Sequence, residues 1–211
     1  SFVSDDSTGV NATTFTFSSQ ALGAAASDRR IVVAIGAGGG SVGLVTGVTV
    51  GGVTATFVAQ ATLDVEATST IWWAAVPTGT TGDVVVTFSS SKGNCGVSCY
   101  RLTGADVVLS ATSQSAAGSG AASSGTVGTP NNAVVVGNTY HEQGSGATRT
   151  TTWSGLTEDV DDEIETGTNF STASGLITAA SVTATATPSG TTSQEVFTLA
   201  AFGSSEYGVN G

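Results

Sequence analysis

Short segments with strand-type periodicity follow one another along the chain. In residues 14–17 (Thr-Phe-Thr-Phe), polar and apolar residues alternate, as they do in a strand with one buried face. Residues 31–35 form a continuous apolar run instead, which is typical of a strand buried on both faces. No segment keeps helical spacing over ten residues between capping residues. The pattern predicts an all-β protein.

The predicted strands form two sets separated by a segment rich in Ser, Ala and Gly at 113–129. That segment is typical of a linker, although 123–127 could form an edge strand. A turn is expected at 89–93 in the first set. The predicted strands lie at 14–17, 31–35, 53–60, 71–76, 84–89 and 97–102, and then at 133–139, 149–153, 175–180, 181–187 and 195–202.

One order of segments occurs twice. The strand that begins at Ile31 returns at Ala133, an offset of 102 residues, and a Gly-rich stretch follows both. A single sandwich buries more apolar surface per residue than two small domains. We therefore predict one antiparallel, jelly-roll-like β-sandwich domain over 1–211, built from two pseudo-repeats at about 12–110 and 111–203.

Composition supports a folded β protein and limits its partners. Only 10% of the 211 residues are charged and the mean hydropathy is +0.23, whereas disordered chains usually combine high charge with low hydrophobicity. Five basic residues against sixteen acidic ones give a net charge of −11. Nucleic acids and anionic membrane surfaces are therefore not expected as partners.

Three local motifs resemble a β-sandwich module of phage structural proteins and some bacterial surface proteins. They are Tyr-Arg-x-x-Gly-x-Asp at 100–106, Pro-x-x-Ala-Val-Val-Val at 130–136 and Trp-x-Gly-Leu-Thr-Glu at 153–158. The resemblance covers about residues 12–203.

The resemblance implies a structural virion protein without enzymatic activity, most simply a capsid decoration (cement) protein. Its partner would be the major capsid protein or a tail protein, and it would self-associate, with a trimer favoured. It would be made in the host cytoplasm and exposed on the particle exterior. The alternative is a tail appendage that binds host glycans.

The sharpest local feature is an acidic stretch at 158–165. As a strand it would place alternate carboxylates on one face, where like charges repel. A solvated loop is the favoured interpretation; calcium binding and contact with a basic partner surface remain open, but the spacing of a calcium loop is missing. The candidate contact residues are Glu158, Asp159, Asp161, Asp162, Glu163 and Glu165.

Two further residues are candidates for ligand contact. Trp153 lies near a predicted loop, whereas the adjacent Trp72 and Trp73 should point to opposite faces of one strand, with at least one in the core. His141, the only histidine, is favoured as a surface residue beside a Gly/Ser loop rather than as a catalytic base. No catalytic, metal or cofactor site is predicted.

Overall fold

The computed structural model describes residues 1–41, 43–63, 67–117, 121–130, 132–142 and 149–205. In these ranges the chain is built from antiparallel strands and contains no α-helix, so the predicted all-β sandwich class is confirmed. The strands are β1 (Phe2–Thr8), β2 (Ala12–Ala21), β3 (Arg30–Gly40), β4 (Val45–Val50), β5 (Val53–Thr54), β6 (Thr56–Leu63), β7 (Ala67–Ala75), β8 (Thr81–Leu102), β9 (Val107–Ala117), β10 (Ser123–Gly128), β11 (Ala133–Glu142), β12 (Thr151–Ser154), β13 (Thr157–Glu165), β14 (Thr168–Ile177), β15 (Ser181–Pro188) and β16 (Gln194–Gly203).

The first half of the chain, β1–β8, forms one nearly closed, barrel-like sheet. The 22-residue strand β8 makes this closure because it belongs to both layers. Its first part pairs with β2 and β4, which with β5 form the outer layer. Its second part pairs with β1 and β3, and with β7 and β6 these form the inner layer. Apolar side chains such as Phe15, Ile35 and Val86 fill the space between the two layers.

The second half forms two separate sheets. The inner one has the order β13-β14-β11-β16-β9 and the outer one the order β10-β15-β12. Phe197 and Leu199 from the inner sheet pack against Val127 and Ala184 from the outer sheet.

The two halves share one strand order. In the inner layers, β1-β8-β3-β7-β6 corresponds to β9-β16-β11-β14-β13. Register corresponds as well: Val32 lies opposite Tyr100, and Val134 lies opposite Phe202, so both partners are offset by 102 residues. The predicted jelly-roll type and the predicted domain and repeat boundaries stay predictions.

The two inner layers pack against each other and bury a further apolar layer between the halves. The central strands are therefore covered on both faces, which confirms the prediction for 31–35. Hydrogen bonds cross the same boundary: Asn138 Nδ2 donates to the Ile35 carbonyl at 2.8 Å, and the Ser69 and Thr198 hydroxyls lie 2.8 Å apart. Apolar packing and polar contacts thus join the halves.

Some local predictions were wrong. Strand β8 continues through the turn predicted at 89–93, because this stretch still pairs with β2 and β3 through Lys92. The predicted linker contains the end of β9 and all of β10, and β10 confirms the edge strand expected at 123–127. Strands β1, β4, β9 and β13 were not predicted.

Cys95 and Cys99 are buried, unpaired thiols on β8. Their side chains belong to the core of the first half. Burial raises the pKa of both thiols, and that of Cys99 to about 12. Both cysteines are therefore apolar core residues at neutral pH.

Candidate functional site

The acidic stretch is a strand rather than the loop that was favoured. It forms β13, the edge strand of the inner sheet, and pairs with β14 along its length. Two register shifts, between Glu158 and Val160 and between Glu163 and Glu165, interrupt the alternation of its side chains. The carboxylates are consequently not on one face, as a regular strand would have placed them.

Glu163 accepts the Gly167 backbone N–H at the turn after β13, and three other carboxylates have partners on more distant elements. Asp161 accepts the Thr151 backbone N–H at 3.0 Å and the Asn169 side-chain N–H at 2.8 Å, both in the second half. On the side of the first half, Asp162 accepts the Ser7 hydroxyl at 2.6 Å. Glu165 accepts Asn94 Nδ2 at 3.3 Å. Strand β13 therefore connects the halves.

Strands β1 and β13 carry further carboxylates. Asp5, Asp6 and Glu158 are exposed, while Asp159 and Glu163 are half-buried. We call these five residues, together with Asp161 and Asp162, the acidic border. Partial burial raises the pKa of Asp5, and the neighbouring Asp162 and Asp6 raise it further.

The pKa of Glu158 is raised in a similar way. Its pKa is raised by burial first and by Asp161 second. Neighbouring negative charges therefore disfavour ionisation of Asp5 and Glu158, and a cationic partner would relieve this repulsion.

His141 is buried, contrary to its predicted place on the surface. It lies in β11, the central strand of the inner sheet, between β14 and β16. Its Nε2 lies 3.0 Å from both Thr151 Oγ1 and Asn169 Oδ1, and the Thr151 hydroxyl donates to the same Asn169 oxygen. Both partners can accept a hydrogen bond from Nε2, so this geometry fits a neutral ring with its proton there.

The other ring nitrogen explains why His141 stays neutral. Nδ1 is buried and has no hydrogen-bond partner among the described residues. Protonation would leave a buried N–H without an acceptor, close to the cationic Arg149. Burial, with a smaller contribution from Arg149, lowers the pKa of His141 to about 4. The ring is a structural hydrogen-bond donor within the core, not an accessible base.

Trp153 is also a core residue, and its prediction as a ligand contact is corrected by its burial. Its side chain is 8% exposed and packs on Phe197 at a ring distance of 5.8 Å. Its indole N–H donates to Ser171 Oγ at 2.8 Å, so the polar edge of the ring is satisfied inside the sandwich. Alternation placed the residue correctly on one face of β12, but proximity to a loop did not make it accessible.

The adjacent pair Trp72 and Trp73 does point to opposite faces, as predicted. Trp72 belongs to the core of the first half, whereas Trp73 faces the second half. Trp73 remains half-buried, and its ring lies 5.5 Å from that of Phe202. The Arg30 guanidinium carbon lies 5.7 Å from the centre of the Trp73 ring.

Trp73 and Arg30 line a cleft at the ends of β3, β6 and β7. The cavity measures about 190 Å³ and is bounded also by Thr56, Ala74 and Ala75. These residues come from three different strands, so local patterns gave no signal for the cleft. Arg30 and Trp73 are far apart in the sequence, and no local pattern connects them.

A second cavity of about 220 Å³ lies at the corresponding strand ends of the other half. Leu176 lies opposite Val134 there, just as Trp73 lies opposite Val32. Asn132 precedes Val134 by two positions, as Arg30 precedes Val32. The two cavities therefore occupy equivalent places with different chemistry.

In the ranges that the structure describes, no group of three or more His, Cys, Asp or Glu side chains is arranged to hold a metal ion. The same ranges contain no helix long and apolar enough to cross a membrane. Comparison with protein-family models, with curated proteins and with solved structures finds no match to this chain.

Proposed function

We propose that the chain is a structural virion protein of a bacteriophage, which decorates the outside of the capsid. The observation that carries this proposal is the acidic border, where burial and neighbouring carboxylates of β13 raise the pKa of Asp5 and Glu158 on a scaffold with three stacked apolar layers. The sequence motifs that resemble phage sandwich modules support the same role.

The proposed mechanism is adhesive and involves no catalysis. A basic patch on the capsid protein would neutralise the acidic border and remove the repulsion between its carboxylates. Complementary charge mainly gives specificity and a fast association rate. Self-association into a trimer or another symmetric oligomer would multiply weak contacts, because linked sites bind with high effective concentration.

Docking is tested by co-sedimentation of the purified protein with capsids that lack it. The variant D5N/E158Q removes two charges from the acidic border while keeping the shape of the side chains. The control D28N/D83N removes two charges elsewhere: Asp28 and Asp83 are exposed, and each accepts one backbone N–H that an Asn side chain can also accept.

Saturable binding that weakens at high salt and in D5N/E158Q, but not in D28N/D83N, is expected. An equal loss of capsid binding in both variants would show that only the net charge matters. It would refute a specific role of the acidic border. Absence of binding to capsids at low salt would refute decoration altogether.

A second candidate function, glycan recognition by a tail appendage, is favoured by the cleft of Arg30 and Trp73. An aromatic face beside a cation is a common way to hold a polar ring in a concave site. This candidate no longer depends on Trp153, because that residue is buried. A glycan array probed with the full chain tests it, and no bound glycan on the array would count against it.

A further inference from the structure

We propose that the cleft of Arg30 and Trp73 binds a single acidic sugar residue, with its carboxylate on Arg30 and its ring against Trp73. This inference rests on the second candidate function, glycan recognition, and is independent of capsid docking. It adds the class of sugar and the residues that select it.

The first step is the state of Arg30. Its neighbour Arg29 is buried, and its guanidinium donates to four backbone carbonyls, those of Val76, Leu22, Gly23 and Thr78. Arg30 differs: among the described residues its guanidinium has no hydrogen-bond acceptor, and it lies over the Trp73 ring. Arg29 is therefore part of the fold, while the donors of Arg30 are available to a ligand.

The second step is the ligand's charge. A guanidinium presents a planar fork of N–H donors that matches a carboxylate and binds it through two parallel hydrogen bonds. Asp106 is near enough for Arg30 to contribute to lowering its pKa, but its carboxylate accepts the backbone N–H and the hydroxyl of Ser205 at 2.7 and 2.6 Å. The nearby carboxylate thus accepts hydrogen bonds from Ser205, and no hydrogen bond to it from Arg30 is seen among the described residues.

The third step concerns the ring of the ligand. The half-buried Trp73 ring is held in place by Phe202, so it offers a rigid apolar surface to the C–H face of a sugar ring. The exposed Thr56 hydroxyl, at the rim, can donate to or accept from a sugar hydroxyl. A cavity of about 190 Å³ is smaller than the roughly 300–1,000 Å³ of drug-sized sites, which favours one ring over a longer chain.

The second cavity provides an internal comparison. Asn132 and Leu176 take the places of Arg30 and Trp73 there, so this cavity lacks the cation, although Phe202 contributes an aromatic ring to its lining. The two cavities lie at equivalent backbone positions but have different side chains. Comparing them therefore shows whether binding depends on these side chains or only on the presence of a cavity. We expect the acidic sugar at the first cavity alone.

The test is ligand-observed NMR on the full chain with glucuronate and N-acetylneuraminate, and with glucose, galactose and benzoate as comparison ligands. We expect saturable binding of the two acidic sugars. R30Q should weaken it at least about tenfold, the loss expected for a hydrogen bond to a charged group. W73L, which introduces the residue of the second cavity, should weaken it similarly, and L176A should leave affinity within about twofold.

Near-ultraviolet circular dichroism of each variant checks the fold, and R30Q alone decides the result if W73L does not fold. Equal binding of neutral and acidic sugars would overturn the inference while leaving glycan recognition intact. Binding of benzoate without the sugars would also overturn it. Absence of binding by any sugar would refute both this inference and the second candidate function, without affecting capsid docking.

Discussion

Acid should destabilise this protein through His141, and the size of the effect follows from its environment. The pKa of the ring falls from 6.5 to about 4 on folding, because burial leaves Nδ1 without a partner. At about 1.4 kcal/mol for each pH unit, this gap corresponds to about 3 kcal/mol. The unfolded chain takes up the proton first. Stability from the neutral ring is therefore fully present above 6.5 and is lost as the pH falls toward 4.

Other groups act in the opposite direction, so a single pH profile would not isolate the histidine. Burial is the main cause that raises the pKa of Asp5, Glu158, Asp161 and Glu195, and each of these groups stabilises the folded state as the pH falls. A variant that lacks only the titrating ring removes this complication, because the carboxylates then contribute equally to both proteins.

H141Q is the suitable variant, since the Gln amide can donate to Thr151 and Asn169 from nearly the position of Nε2 but cannot titrate. Denaturant unfolding of both proteins from above pH 6.5 to below pH 4 gives the two free-energy profiles. The difference between them should change by about 3 kcal/mol, with the wild type losing more. A difference that does not change with pH would refute the account of His141.

Two further predictions concern the core of the first half. A Cβ at Gly38 would overlap the Tyr140 hydroxyl, so G38A should lower the free energy of unfolding by about 2–4 kcal/mol, while G47A, where nothing lies within 4 Å, should change it by less than about 0.5 kcal/mol. Equal effects in denaturant unfolding would contradict the packing described. Cys95 and Cys99 should not react with a thiol reagent in the native protein at mildly alkaline pH and should both react in denaturant; rapid reaction of the native protein would show that they are not buried.

Sequence patterns predicted most of the strands whose buried side chains are apolar. Alternation identified β2 in an outer layer, although β4 was missed, and the continuous apolar run at 31–35 correctly indicated a strand covered on both faces. Hydropathy is a sufficient guide there because apolar side chains fill the layers. The repeat between Ile31 and Ala133 stays a prediction.

The same reasoning failed where polar residues form the core. The first residues of β14, 168–172, are buried although they include the polar residues Asn169, Ser171 and Thr172. These side chains are satisfied by partners from other strands, including His141 and Asp161, which no local pattern reveals. Strands β1 and β13 were missed for a related reason, since Asp and Ser are uncommon in strands.

The candidate site could be predicted only in part. The acidic residues were identified correctly as a cluster, but the two bulges that distribute them over both faces of β13 depend on pairing with β14. Trp153 and His141 were selected from their neighbours in sequence, whereas their burial is decided by strands far along the chain. The cleft of Arg30 and Trp73 is assembled from the ends of β3, β6 and β7, so it had no local sequence signature.

The central claim is that the protein decorates a capsid through its acidic border. Electron microscopy of native particles, reconstructed to a resolution that places individual strands, tests it most directly. We expect density for this fold on the outer surface of the shell, with β1 and β13 facing basic residues of the capsid protein. Density elsewhere on the particle, or on the shell with β1 and β13 turned toward solvent, would contradict the claim.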